Sequence, residues 1–223
     1  NEGISRGASD MFSLKRWKLI IPLDDDGDGI ADEVTQPSLR RFEAPDFFYL
    51  SDTADSVVFR AQTSGVAPDG ETAPRSQLVE MNSKRTELAS WSTTSGVHNL
   101  TVEFSINALP ADEPGVTALQ IHDGEAGLIN VRLVGKRRVL ERKGDEDFVL
   151  ADDYGLGSFL QLMLISDHGR VRALVNTRQV MEWKVEADGL YYTIGALVAA
   201  APSEDVESTV AEVEFREVYV VHK

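Results

Sequence analysis

Gln120 and His122 stand two residues apart in an apolar, β-branched stretch. If that stretch is a strand, the two side chains share one face. Glutamine offers amide hydrogens, and histidine exchanges a proton near neutral pH. Arg75 and Gln77 repeat the spacing, and an arginine can grip a carboxylate with two parallel hydrogen bonds. Tyr191, Thr193, Gly195, Leu197 and Ala199 alternate along a third run, and Asn130 and Arg132 along a fourth. These residue types can bind an anion and move a proton beside it. His122, Gln120 and Arg75 are the residues whose types suit such chemistry best. Gln77, Asn130, Arg132, Tyr191 and Thr193 are candidate binding residues.

A second constellation is acidic. Asp24, Asp26 and Asp28 alternate, Gly29 permits a sharp turn, and Asp32 follows four residues later. Alternating oxygen ligands of this kind wrap a hard cation, and a structural calcium on Asp24, Asp26, Asp28 and Asp32 is one reading. Position twelve of the loop is Thr35 rather than glutamate, and a solvated acidic turn is the other reading.

The elements that must carry these residues are strands. Runs at 56–60, 98–106, 128–134, 159–166, 170–176, 189–200 and 209–222 are rich in β-branched and aromatic residues. Turn clusters at 67–72, 109–115, 143–147, 167–169 and 201–205 separate them. Asp167-His168-Gly169 reads as a tight hairpin turn. In the last run the in–out alternation fails at Glu217, which predicts a β-bulge. Helical patterns are scarce. The expectation is one all-β domain over residues 1–223, a jelly-roll sandwich of two antiparallel sheets.

The totals agree. The chain has 223 residues, 42% of them hydrophobic, enough for a substantial core. No apolar run reaches bilayer length, so no membrane partner is expected. The formal net charge of −15 argues against nucleic acid, which needs a basic face. With no cysteine, thiol catalysis, thiolate metal sites and disulfides are excluded. Residues 1–10 carry no signal-peptide pattern. Lys136, Arg137, Arg138, Arg142 and Lys143 form the strongest basic cluster. It reads as a solvated hairpin, or as local positive potential on an acidic body.

Several segments, in order, resemble polysaccharide lyase family 7, the alginate lyases. They are Trp17-Lys18-Leu19-Ile20-Ile21-Pro22, Val57-Val58-Phe59-Arg60-Ala61, Pro74-Arg75-Ser76-Gln77-Leu78-Val79-Glu80-Met81, Gln120-Ile121-His122 and Tyr191-Tyr192-Thr193-Ile194-Gly195-Ala196-Leu197. The resemblance implies a concave sheet that holds an anionic polysaccharide, alginate first, and cleaves it by β-elimination. Arg75 and Gln120 would neutralise the uronate carboxylate, and His122 would serve as base. No cofactor for catalysis and a secreted or periplasmic location go with it. The sequence departs from the family where its catalytic tyrosine aligns with Leu197 and its motif lysine with Thr193. Tyr191, six residues from Leu197, reads as too distant to replace that hydroxyl, which leaves Tyr154, a tyrosine from another loop such as Tyr49, or His122 performing both proton steps. The alternatives are a catalytically impaired polysaccharide-binding domain and a lyase for another polyuronate such as glucuronan. A glycoside hydrolase would need a facing carboxylate pair, and no spacing marks one.

Overall fold

The computed structural model describes residues 7–111, 115–200 and 209–223. Fifteen strands form two antiparallel sheets, joined by loops and two short 3₁₀ turns at Ala8–Asp10 and Ser38–Arg41. One sheet has eight strands. In spatial order they are β10 (Phe148–Ala151), β9 (Arg137–Arg142), β8 (Gly127–Val134), β7 (Gly115–His122), β14 (Tyr191–Leu197), β5 (Arg75–Glu80), β1 (Trp17–Ile20) and β2 (Glu33–Val34). The other has seven: β13 (Arg178–Lys184), β12 (Arg170–Val175), β11 (Leu160–Asp167), β6 (Val97–Ala108), β15 (Val210–His222), β4 (Val57–Gln62) and β3 (Phe48–Leu50). The β-sandwich expected from the strand pattern is present. Residues 112–114 of the expected turn cluster at 109–115, and the whole cluster at 201–205, lie outside the described residues.

The core lies between the sheets. Leu19, Leu78, Leu119, Ile121, Ile129, Val131, Tyr192 and Ile194 face it from the eight-stranded sheet. Phe48, Phe59, Phe215 and Phe104 answer from the other in a chain of ring contacts, with centroids 5.2, 5.5 and 5.5 Å apart. Each such buried ring contributes about 1.5–3 kcal/mol by leaving water. Strand periodicity then fixes the opposite face. Because Ile121 and Tyr192 point inward, Gln120, His122, Tyr191 and Thr193 point outward.

Three local features carry the register. The expected bulge occurs in β15, where pairing with β6 shifts between Phe215 and Glu217 and the buried positions change from 211, 213 and 215 to 218. His168 and Gly169 both have positive φ, 50° and 69°, as a two-residue type I′ hairpin turn requires. Gly195 has φ 143°, and a Cβ there would lie 2.2 Å from the Ser76 carbonyl oxygen. Only glycine lets β14 lie this close to β5.

The basic cluster divides. Arg138 is buried, its guanidinium 3.9 Å from the Tyr154 ring centre and 4.8 Å from that of Phe104. The expected solvated hairpin is therefore wrong at this residue, which lies under two aromatic faces. Lys136 and Arg137 remain exposed, beside Asp153 and Asp152.

Candidate active site

The central strands of the eight-stranded sheet bring the candidate residues together. Pairing sets Thr193 opposite Gln120, and Gln120 opposite Asn130. The Gln77 amide donates to Thr193 Oγ1 at 2.9 Å and to Gln120 Oε1 at 3.1 Å. Thr193 donates to the same Gln120 oxygen at 3.0 Å, and Gln120 Nε2 donates to Asn130 Oδ1 at 2.8 Å. The row ends at Glu141, which accepts from Asn130 Nδ2 at 3.4 Å and pairs with Arg132 at 2.6 Å. A polar floor thus crosses five strands. Gln77, Thr193 and Gln120 are all buried in it. Gln77 Oε1 has no hydrogen-bond partner among the described residues.

Tyr191 and His122 stand at one end of this floor. Their backbones are paired, their rings stack with centroids 5.1 Å apart, and the Tyr191 hydroxyl lies 2.8 Å from His122 Nδ1. The Gly124 amide donates to the same Nδ1 at 3.0 Å. A backbone N–H can only donate, so Nδ1 carries the lone pair and the neutral ring holds its hydrogen on Nε2. The Tyr191 hydroxyl therefore donates to Nδ1. Burial pushes the His122 pKa below its ordinary value, against the raising effects of Asp123 and Glu71. Burial also pushes Tyr191 up, and Glu71 adds to the shift. The resting pair is a neutral imidazole accepting from a neutral phenol.

Asp123 follows His122 in the tight turn at 123–126. Burial raises its pKa, but Lys143 at 2.5 Å and the Ala126 and Glu125 amides outweigh that and hold it at about 2. The turn is thereby fixed in the geometry that supplies the Gly124 amide.

Arg75 sits on the other flank of the floor, its backbone paired with Leu197. Its guanidinium is bonded to the Glu71 carboxylate and, at 3.3 Å, to the Ala73 carbonyl. Arg75 and Glu71 both act electrostatically on His122 and Tyr191, with opposite signs.

The structure corrects the expectation about the hydroxyl. Leu197 pairs with Thr117 of β7, five residues along that strand from His122. A side chain at 197 is therefore about 16 Å along the strand from His122. The hydroxyl that touches His122 belongs to Tyr191, and its separation from Leu197 is immaterial. Tyr154 is no substitute. Its hydroxyl accepts from the Ile106 amide at 2.9 Å and donates to the Ser158 carbonyl at 2.6 Å, inside the core. Tyr49 is on β3 of the other sheet. His98 and His222 also gain an unforeseen role. They face each other at 2.7 Å, and His222 contacts the buried Glu80 at 2.5 Å, tying β6 and β15 to β5.

In the acidic loop, carboxylate oxygens of Asp24, Asp26 and Asp28 lie within 4.8 Å of one another. Asp32 does not join them. Its carboxylate caps the Asp25 amide at 3.1 Å. Asp24 already accepts from the amides of Gly27, Asp28 and Gly29. Three converging carboxylates fit a calcium ion, with the remaining ligands left to water.

The alginate lyase family model matches residues 12–222. The chain belongs to the alginate lyase family. Among solved structures it is similar to alginate lyase AlgAT5 of polysaccharide lyase family 7, at a TM-score of 0.91 and 32% identity, covering 98% of this chain and 100% of that one. It is also similar to the alginate lyase from Corynebacterium sp., at a TM-score of 0.90 and 27% identity, covering 97% and 98%. A curated alginate lyase from Klebsiella pneumoniae is 42% identical over 74 residues, which span 32% of this chain and 24% of that protein. The jelly-roll fold of the family is thus the fold of this chain.

Proposed function

We propose that this family member is a polysaccharide lyase that cleaves alginate by β-elimination. The observation that carries the reading is the Tyr191 hydroxyl donating to His122 Nδ1 at 2.8 Å, on the sheet face that also presents Arg75 and Gln120.

Elimination begins at the carbon next to the uronate carboxylate. Removing its proton places negative charge on that carboxylate, so cationic and amide donors beside it lower the barrier. Arg75 supplies a guanidinium. Gln120 has one amide hydrogen beyond the one given to Asn130. The C5 proton passes to the Tyr191 oxygen as the phenol proton moves to His122 Nδ1. The freed pair forms the C4–C5 double bond, and the C4–O4 bond breaks. Tyr191 then protonates O4 and recovers its own proton from His122. The net change is one proton carried from C5 to O4. His122 stays the base of the scheme, acting through the phenol. The lowered pKa of His122 and the raised pKa of Tyr191 keep the couple in its starting state at neutral pH.

The test is incubation with alginate, its two block types and glucuronan while ultraviolet absorbance is followed, since elimination creates a conjugated double bond. A rise on alginate supports the reading, and a rise on glucuronan alone moves the substrate to another polyuronate. No rise on any polymer, with retention on an alginate column, leaves a binding domain and defeats the enzyme reading.

A further inference from the structure

Both arginines that flank the polar floor already hold carboxylates. Arg132 is paired with Glu141 at 2.6 Å, and Arg75 with Glu71. The two carboxylates are mounted differently. Glu141 belongs to β9, is three-quarters buried, and also accepts from Asn130. Glu71 belongs to the loop between β4 and β5, next to Gly70 with its φ of 72°, and its side chain is 49% exposed while that of Arg75 is 8% exposed. Among the described residues its one side-chain bond is the one to Arg75.

The Glu71 charge raises the pKa of His122 and that of Tyr191, while Arg75 lowers both. A substrate carboxylate that takes the Arg75 guanidinium competes for it with Glu71, the carboxylate already bonded there.

We infer that Glu71 is a displaceable surrogate for the substrate carboxylate, an internal competitor for Arg75 that sets how tightly this site holds a polyuronate. This rests on the lyase reading for the identity of the ligand. While Glu71 is seated, Arg75 presents no net positive charge. A uronate can exchange with Glu71 on equal chemical terms. A neutral sugar carries no group that competes for Arg75, so it neither displaces Glu71 nor gains from its loss. The cost is affinity, because every binding event displaces an internal competitor.

The experiment uses the full chain carrying Tyr191→Phe, so that ligand survives, with and without Glu71→Gln. Binding of a saturated alginate tetrasaccharide and of its carboxyl-reduced neutral counterpart is measured by calorimetry. The inference expects Glu71→Gln to tighten alginate binding about three- to ten-fold, the scale of a partly exposed ion pair. The neutral sugar should be unchanged. Glu71→Ala should act in the same direction, which separates loss of competition from any new amide contact. Unchanged or weaker alginate binding in both variants overturns the inference and makes Glu71 a positioning residue for Arg75. An equal gain for the neutral sugar overturns it too, since the loop would then merely have opened. Binding by none of the proteins overturns it, because no carboxylate would contest Arg75. Failure of the lyase reading is a separate result: the otherwise unmodified chain binds the alginate tetrasaccharide but yields no unsaturated product, and the Glu71 comparison still stands.

Discussion

Glu80→Ala should unfold this sandwich well before any change elsewhere in the site does. Glu80 is 1% exposed and joins the two sheets. One of its oxygens accepts from the Tyr192 amide at 3.0 Å and from Trp91 Nε1 at 3.3 Å, while the other contacts His222 Nε2 at 2.5 Å. Alanine strands two buried donors and a ring nitrogen at once. An orphaned buried donor costs about 1–3 kcal/mol, and breaking a buried ion pair about 3–5 kcal/mol, so a loss of roughly 3–5 kcal/mol is expected. For a domain of this size that lowers Tm by about 8–15 °C. Glu80→Gln should behave otherwise. The Ser95 carbonyl can only accept, so His98 Nε2 carries a hydrogen, and one hydrogen must lie between the facing Nδ1 atoms of His98 and His222. A glutamine oxygen can accept from Tyr192 and Trp91 while its amide donates to His222 Nε2, which leaves His222 to donate from Nδ1 to His98. The glutamine variant should therefore stay within about 1.5 kcal/mol of the parent. Urea unfolding followed by tryptophan fluorescence measures both. The reasoning is refuted if alanine costs under about 1 kcal/mol, or if glutamine is as damaging as alanine.

Other outcomes follow from the same geometry. The reacting form of His122 is neutral, and its pKa lies below the ordinary value near 6.5. The acid limb of kcat/KM should therefore lie below that value, with activity lost only as pH falls through the lowered pKa. Glu71→Gln removes a raising charge and should move that limb further into acid. Gly195→Ala drives a Cβ to 2.2 Å from the Ser76 oxygen, at φ 143°. It should cost about 1–3 kcal/mol of stability and lower kcat more than a conservative change at Leu197, because the Gln77–Thr193 contact is lost. Millimolar calcium should raise Tm by a few degrees, and Asp26→Asn with Asp28→Asn should abolish the rise. No shift on adding calcium would show the loop to be held by its carboxylate–amide bonds without a cation.

The sandwich could be read from the chain because its signals are local. The fault in alternation at Glu217 marked a bulge, and Asp167-His168-Gly169 marked a turn. Several strands escaped, β2, β9, β10 and β13 among them. β9 carries the basic cluster, β10 is only Phe148–Ala151, and β13 is a charged edge strand whose alternation is diluted by Arg178, Glu182 and Lys184. Arg138 looked solvated because nothing in its own segment reveals Tyr154 and Phe104. The shared faces of Gln120 with His122 and of Arg75 with Gln77 were legible from period two. Which residue of β14 meets His122 was not, because strand register depends on the whole sheet. The pairing of Tyr191 with His122, and of Leu197 with Thr117, is that missing information. Glu71 carried no signal, since its partner lies across a loop whose path the sequence does not show.

The most direct test of the account compares the parent chain with Tyr191→Phe on alginate, following ultraviolet absorbance under saturating substrate and checking binding of a saturated oligosaccharide separately. The account predicts that the loss of one hydroxyl lowers kcat by about 10²–10⁴-fold, with binding and Tm nearly unchanged. Retention of most of the parent kcat by Tyr191→Phe would contradict it, and would place the proton-moving group elsewhere than the Tyr191–His122 pair.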